Sequence, residues 1–129
     1  MLHWICSVIR SFGPALAGLG WALKTQRNLQ VHAVATFAVL MFGFWLKIAP
    51  WEWCVVALST GLVWASELLN TAIEVLADRV SKEREEPIRR VKDAAAAGVL
   101  LAALAAFSVG LIVFLPKLWR LLENVPPLP

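Results

Sequence analysis

The chain has 129 residues, of which 60% are hydrophobic and 16% charged, with a formal net charge of +3 and a mean hydropathy of +0.71. Soluble domains usually carry about a quarter charged residues, so this composition excludes an ordinary soluble domain and indicates a membrane protein. The two cysteines, Cys6 and Cys54, lie in apolar sequence without metal-binding or redox spacing. We expect them to be packing residues and not a disulfide.

The first 24 residues form an apolar segment whose only charges are Arg10 and Lys24. A cleavable signal peptide has its positive charge before the apolar stretch, whereas Arg10 follows it here. The segment is therefore predicted to be retained, as an amphipathic helix that lies in the membrane interface.

Three further segments are predicted to span the membrane, at about residues 31–49, 51–78 and 93–115. Each has roughly the 20 residues needed to cross a hydrocarbon core of about 30 Å. Pro50 fits the first turn of the second span, and Pro116 is expected to close the third. The predicted fold class is an all-α membrane protein, with an interfacial N-terminal helix and three transmembrane helices, in a single domain over 1–129.

Lysines and arginines are distributed unequally between the two sides of the membrane. Nine lie before the first span or between the second and third, and three lie on the other side: Arg10, Lys24, Arg27, Arg79, Lys82, Arg84, Arg89, Arg90 and Lys92 against Lys47, Lys117 and Arg120. The positive-inside rule predicts a multi-pass protein of the inner (plasma) membrane with its N-terminus and the 79–92 loop in the cytoplasm.

The second span ends in a polar stripe. Glu67, Asn70, Glu74 and Asp78 are separated by three, four and four residues, which places them on one narrow face of a helix. Glu67 lies about 24 Å along that helix from Trp51, just inside the hydrocarbon, and Glu74 lies about 10 Å further on.

A carboxylate at the depth of Glu67 is costly unless it is paired, hydrated or bound to a metal. A helix that leaves the hydrocarbon before its last turns would explain the polar residues Asp78 and Glu74, but it explains Glu67 and Asn70 poorly. Carboxylates with an amide suit a hard cation such as Mg²⁺, which commonly bridges substrate phosphates. A partly desolvated glutamate also suits a general base.

Small residues recur every four positions in the third span: Ala94, Gly98, Ala102, Ala106 and Gly110. This spacing is typical of helices that pack closely in membranes, although alanine is also simply common there. Because three spans barely surround a site, we expect an oligomer with shared interfaces.

The sequence contains no Walker A motif and no cluster of zinc ligands. Asn28 is interpreted either as a site residue or as a helix cap, and His32 as a site or interface residue. Asp93 is interpreted either as a site residue or as the N-terminal cap of the third span, and Lys92 either as a site residue or as a surface charge.

The run "ASELLNTAIEVLAD" (65–78), followed by a basic loop and "VKDAAAAGVLLAA" (91–103), resembles the prokaryotic diacylglycerol kinase and undecaprenol kinase family of small integral-membrane lipid kinases. The resemblance extends over about residues 11–116. The "RN" pair followed by His32, together with "AAGVLL", is more similar to the undecaprenol kinase branch.

The resemblance implies transfer of a phosphoryl group from ATP, with Mg²⁺, to a lipid alcohol by homotrimers whose active sites lie between subunits. It also implies a place in phospholipid and lipid metabolism. By motif position Glu67 is the general base, Glu74 binds Mg²⁺ on the ATP, and Lys92 and Asp93 contact the nucleotide. The remaining motif residues, Asn28, Asn70 and Asp78, shape the site or contact substrate.

One position departs from the family pattern. The family often has a second metal-binding glutamate two residues before the Asn of "RN", and here that residue is Gln26. Glutamine still offers a carbonyl oxygen to the metal and ATP, but it lacks the charge.

Two other functions compete with a lipid kinase acting on diacylglycerol or undecaprenol. A small proton-coupled multidrug-type transporter would use Glu67 as its binding carboxylate, but such proteins usually have four spans. A catalytically weak family member could instead act as a membrane scaffold, which the exchange at Gln26 allows. The expected partners are ATP, a lipid alcohol, membrane lipids and further copies of the chain, without nucleic acid.

Overall fold

A computed structural model describes residues 2–81 and 85–123. They form four α-helices: α1 (Leu2–Thr25), α2 (Arg27–Trp45), α3 (Pro50–Val80) and α4 (Glu86–Glu123). The side chain of Cys6 and the loop residues Lys82 and Arg84 lie outside the described part. Cys54 is a free thiol on the surface of the chain, so the packing role expected for it is not seen within the chain.

The first two helices are separated by a single residue. Gln26 has an extended backbone (φ −102°, ψ 113°), and α2 begins at Arg27, four residues before the predicted span. The backbone N–H of Gln26 still donates to the Ala22 carbonyl at 2.7 Å, which completes the last turn of α1. This break separates the N-terminal helix from the first spanning helix.

The α2 helix ends at Trp45, earlier than the predicted residue 49, because the chain turns at Lys47. Lys47 adopts the left-handed backbone conformation (φ 49°). This conformation often follows the end of a helix, where the residue is usually glycine. The Ile48 N–H donates to the Gly43 carbonyl at 3.1 Å and the Lys47 N–H to the Phe44 carbonyl at 3.2 Å. These two bonds form a Schellman motif, which satisfies carbonyls at the helix end.

The turn brings α3 back against α2 at a close contact. A Cβ added at Gly43 would lie 2.6 Å from the ring of Trp53, so any larger residue would force that indole to shift. Ile48 is buried beside the same residues and belongs to a small apolar core with Val56 of α3 and Val113 of α4. The helical hairpin of α2 and α3 is therefore fixed next to its turn.

The first turn of α3 contains Pro50, as predicted. Pro50 occupies the first helical turn, where its missing N–H costs nothing, and it restricts Ala49 to extended backbone (φ −68°, ψ 156°). The carboxylate of Glu52 accepts a hydrogen bond from the Ala49 N–H at 2.5 Å and pairs with the ammonium of Lys117 on α4 at 3.0 Å. The start of α3 is thus tied to the far part of α4.

The last helix is longer at both ends than the predicted span. It begins at Glu86, inside the predicted 79–92 loop, and it runs through Pro116 to Glu123, so the expectation that Pro116 closes the helix is wrong. A proline interrupts only the hydrogen bond that its own N–H would make and crowds the carbonyl four residues earlier. Residues 117–123 continue as helix beyond it, where Lys117 is held by Glu52.

The helices α2, α3 and α4 are each long and apolar enough to cross a membrane. α3 packs most extensively against α4, while α1 contacts α2 and α3. Many large apolar side chains lie on the outside of the chain, including Phe37, Leu58, Leu101 and Ile112, all more than 60% exposed. A chain with so much apolar surface is suited to a lipid environment, and the interfacial placement of α1 stays a prediction.

The small residues of α4 do not share one face. Ala102 is buried within the chain, whereas Ala94 and Gly98 are exposed, and a Cβ at Gly98 would meet nothing within 4 Å. Steps of four residues turn an α-helix by about 40° each, so a row of five drifts by about 160°. The start of the row, at Ala94 and Gly98, is its most exposed part.

Candidate active site

One face of α3 becomes polar over the last three turns of the helix. Glu67 is 2% exposed and Asn70 is 5% exposed, whereas Glu74 is half-buried and Asp78 is exposed. Residues three or four apart stay on one face while the helix advances about 1.5 Å per residue. The four side chains therefore run from the interior of the chain to its surface.

Two oxygen atoms in this stripe are buried without a hydrogen-bond partner: Oε2 of Glu67 and Oδ1 of Asn70. The Nδ2 group of Asn70 donates to Oε1 of Glu74 at 3.1 Å, which fixes the orientation of the amide. A buried acceptor without a donor is costly and uncommon in folded proteins. Such a pair of oxygens is suited to a proton, donor or cation that a substrate brings.

Thr71 belongs to the same buried surface and was missed by the sequence reasoning. It is 4% exposed and lies one helical turn after Glu67. Its spacing of four residues from Glu67 is the signal that would have identified it. The buried polar surface is thus wider than the four predicted residues.

Asp78 is joined to Lys92 across the α3–α4 connection. The Lys92 ammonium donates to Oδ1 of Asp78 at 2.8 Å. Lys92 lies in the polar segment before the apolar part of α4, and the hydrogen bond to Asp78 raises its pKa. Two residues predicted to serve one site, fourteen positions apart in sequence, are in direct contact.

Asp93 lies within α4, which begins at Glu86, so its alternative interpretation as an N-terminal cap is wrong. Its Oδ2 atom accepts a hydrogen bond from Arg89 at 2.7 Å, and Arg89 also binds Glu86 at 2.9 Å. The sequence reasoning gave Arg89 no site role, although its spacing of four residues from Asp93 predicts this pair. The guanidinium therefore holds the Asp93 carboxylate on the first turns of α4.

The remaining predicted residues lie around the start of α2. Gln26 is half-buried at the break before the helix, and its side chain does not cap α2. Asn28 is exposed and is the second residue of α2, so the cap interpretation is wrong for it. His32 is half-buried one turn further on.

A polar contact between α2 and α3 also escaped the sequence analysis. The indole N–H of Trp64 donates to Oγ1 of Thr36 at 2.9 Å, and the Thr36 hydroxyl donates to the carbonyl of His32 at 2.7 Å. Trp64 lies three residues before Glu67, so this contact fixes α2 against the part of α3 that carries the glutamate. A tryptophan within a span needs such a partner, but sequence alone does not say which.

The donor set fits a hard divalent cation. Within 2–81 and 85–123, no three His, Cys, Asp or Glu side chains are grouped as a metal site. Mg²⁺ commonly binds through one or two carboxylates together with substrate phosphates and water, so a three-carboxylate cage is not required. The Glu74 carboxylate and the unpartnered Oδ1 of Asn70 are oxygen donors of this kind.

Comparison with known proteins shows extended similarity. A family model described as prokaryotic diacylglycerol kinase matches residues 13–114. An undecaprenol kinase from Bacillus subtilis (strain 168) is 39% identical over 109 residues, which cover 84% of this chain and 89% of that protein. A diacylglycerol kinase from Synechocystis sp. is 39% identical over 117 residues, covering 90% and 67%. A diacylglycerol kinase from Escherichia coli (strain K12) is 30% identical over 99 residues, covering 77% and 81%.

Proposed function

The chain belongs to the prokaryotic diacylglycerol kinase family and is a lipid kinase, and we propose that it transfers the γ-phosphoryl group of ATP to the hydroxyl of a membrane lipid alcohol beside Glu67. Diacylglycerol and undecaprenol are the candidate acceptors, because the relatives are named for these two substrates. The observation that carries the placement is the buried, unpartnered Oε2 of Glu67.

Glu67 is proposed to act as the general base. Its free oxygen accepts the proton of the lipid hydroxyl as the hydroxyl oxygen forms a bond to the γ-phosphorus. The bond from that phosphorus to the β–γ bridging oxygen breaks, and ADP leaves with the bond's electron pair. A general base needs one lone pair that no other donor occupies, which is the state of Oε2.

The nucleotide is proposed to lie at the exposed end of the stripe. Glu74, oriented by Asn70, would hold Mg²⁺ with Gln26 as a second, neutral ligand, and the cation would neutralise phosphate charge. Lys92 and Asp93 would contact ATP, with Asp78 and Arg89 fixing their side chains. Asn28, exposed on the first turn of α2, lies two residues after Gln26 and is assigned to substrate contact.

The lipid chain has a matching surface on the same face of α3. An apolar groove of about 340 Å³ lies between α2, α3 and α4, and its floor includes Val56, Val63 and Trp64. Glu67 follows Val63 by one helical turn, so the groove leads away from the carboxylate towards the middle of the span. A lipid alcohol with its hydroxyl at Glu67 would place its hydrocarbon here.

We further propose a homotrimer in the inner membrane, with the N-terminus and the 79–92 segment in the cytoplasm. The exposed Ala94 and Gly98 would form a close contact between neighbouring chains. The excess of Lys and Arg at that end supports the orientation, since ATP is supplied from the cytoplasm.

The test is phosphorylation of a panel of lipid alcohols by purified protein with ATP and Mg²⁺. Transfer to diacylglycerol or undecaprenol supports the proposal and identifies the acceptor, whereas no transfer to any lipid alcohol contradicts it and favours the scaffold alternative. The transporter alternative usually has four spans, and the described residues contain three helices suited to crossing a membrane.

A further inference from the structure

One buried polar residue of α3, Thr71, has no part in the proposed reaction. Its side chain belongs to the same buried surface as Glu67 and Asn70 and is 4% exposed. A hydroxyl enclosed in a protein usually has a hydrogen-bond partner, because burying it without one costs free energy. The partner of this hydroxyl is therefore significant for the chemistry of the site.

Several hydroxyl side chains of this protein are satisfied by their own helix. Each of four donates to a backbone carbonyl three or four residues earlier, at 2.7–3.1 Å: Thr25, Thr36, Ser59 and Ser108. This arrangement is common for serine and threonine inside helices. Within residues 2–81 and 85–123 the Thr71 hydroxyl makes no hydrogen bond, although the residue is buried. It is thus free to donate to a group that the substrate brings.

The segment between the proposed base and the proposed magnesium ligand has few hydrogen-bond donors. Between Glu67 and Glu74 the side chains are Leu, Leu, Asn, Thr, Ala and Ile. The Nδ2 group of Asn70 is directed to Glu74 at 3.1 Å, and its Oδ1 atom is an acceptor, as are both carboxylates. Thr71 therefore carries the side-chain donor of this segment that no other residue holds.

Helical geometry places Thr71 beside the path of the phosphoryl group. Thr71 lies about 6 Å along the axis from Glu67 and about 4.5 Å from Glu74, so it is level with the space between them. It is rotated about 40° from Glu67 to one side, and Asn70 about 60° to the other. A phosphoryl group that passes from ATP at Glu74 to a lipid hydroxyl at Glu67 moves through this space.

The transferred group needs a donor at this level. The attacking and leaving oxygens are roughly in line, and negative charge is spread over the three equatorial oxygens, which point sideways from that line. The carboxylates of Glu67 and Glu74 are acceptors and cannot donate to those oxygens. Lys92 is bound to Asp78, about 16.5 Å along α3 from Glu67, which suits the other phosphates of ATP better.

We propose that Thr71 is a catalytic residue whose hydroxyl donates a hydrogen bond to an equatorial oxygen of the γ-phosphoryl group during transfer. The inference rests on the proposed kinase reaction and adds one contact to it. Thr71 keeps its proton, Glu67 still accepts the proton of the lipid hydroxyl, and the bonds that form and break are unchanged. Because the phosphoryl group reaches this level only during transfer, the contact stabilises the transition state more than the bound substrates.

The test is steady-state kinetics of purified variants with ATP and the lipid alcohol that the wild-type protein phosphorylates best. Thr71→Val keeps the shape of the side chain without the hydroxyl, and its kcat should fall about tenfold or more with little change in either KM. Thr71→Ala also lacks the hydroxyl and should show the same loss. Thr71→Ser keeps the hydroxyl and should keep most of the wild-type kcat. Ser108→Ala removes a hydroxyl that is bonded to its own helix, so it should behave as the wild-type protein does.

Thermal unfolding of the same variants separates catalysis from packing. A buried hydroxyl without a partner destabilises the substrate-free protein, so Thr71→Val should keep or raise the midpoint of unfolding while kcat falls. A fall of both quantities in Thr71→Val and in Thr71→Ser alike would indicate a packing role and overturn the proposal. An unchanged kcat in Thr71→Val, or a change confined to one KM, would overturn it as well. A wild-type protein that phosphorylates no lipid alcohol would instead contradict the kinase reaction on which the inference rests.

Discussion

The ammonium of Lys92 on α4 lies 2.8 Å from the carboxylate of Asp78 on α3. This pair joins the end of the polar stripe to the start of the last helix. It is partly exposed, so its direct contribution to the free energy of unfolding is small. Its effect is on position, because it holds a cation next to the place proposed for the ATP phosphates.

Replacing Lys92 with Gln should raise the KM for ATP by about tenfold or more, since a hydrogen bond to a charged group contributes about 1.5–3 kcal/mol. The KM for the lipid should change little. Steady-state kinetics with each substrate varied in turn measures both values. Arg90→Gln is the matched control, because Arg90 is exposed and pairs with Glu86 instead of a stripe residue. An equal rise of the KM for ATP in both variants would argue against a specific phosphate contact by Lys92.

Glu67→Gln should abolish most of the transfer while the helical content and the affinity for ATP are retained. General bases contribute typically about 10²- to 10⁴-fold to the rate, so the loss should appear in kcat. Radiolabelled ATP and a saturating lipid acceptor give the turnover, and circular dichroism gives the fold. Glu123→Gln makes the same chemical change at the far end of the chain and should keep its activity. If Glu67→Gln keeps more than about a tenth of the wild-type turnover, Glu67 is not the base.

Gly98→Leu and Ala102→Leu should have different consequences, although the two residues belong to one sequence pattern. Gly98 is exposed, so a leucine there should separate neighbouring chains and reduce the cross-linked trimer in detergent. Ala102 is buried within the chain, where extra side-chain volume typically costs about 1–3 kcal/mol. The Ala102→Leu variant should therefore have a lower midpoint of thermal unfolding than the wild-type protein. An unchanged trimer in Gly98→Leu would mean that this surface faces lipid.

Gln26→Glu should lower the Mg²⁺ concentration that gives half-maximal rate. A carboxylate adds charge to a site where the wild-type residue offers only an amide oxygen, and Mg²⁺ gains from that charge. The measurement is a Mg²⁺ titration at saturating ATP. Gln30→Glu is the matched control, since Gln30 is exposed one turn along and its amide donates to the Leu23 carbonyl. An unchanged half-maximal concentration in Gln26→Glu would place Gln26 outside the coordination sphere.

The helical periodicity predicted the polar face of α3 because the spacing of Glu67, Asn70 and Glu74 depends on local geometry alone. The family resemblance is confirmed by the matched range 13–114. Contacts between distant parts of the chain could not be predicted in this way. The pairing of Lys92 with Asp78 and the bond from Trp64 to Thr36 depend on how helices are placed against each other.

The errors at helix ends have local causes that composition does not show. Hydropathy continues past Trp45, so the predicted span continued as well, but the left-handed Lys47 ends the helix. Pro116 predicts a helix end, but a proline removes only one backbone donor, and α4 continues past it. The drift of a four-residue repeat explains why the small residues of α4, which form one row in the sequence, do not all lie on one face of the helix.

The contact between Gly43 and Trp53 sets a limit on how the length of this protein can vary. It fixes α3 against α2 at one end, and the bond from Trp64 to Thr36 fixes it again eleven residues later. One residue inserted between these two points would turn everything after it by about 100° and move Glu67 off its face. An insertion after Val80, where α3 has ended, would leave both fixed points and the glutamate in place. An insertion inside α3 would therefore displace the proposed base, whereas one between α3 and α4 would leave Glu67 where it is.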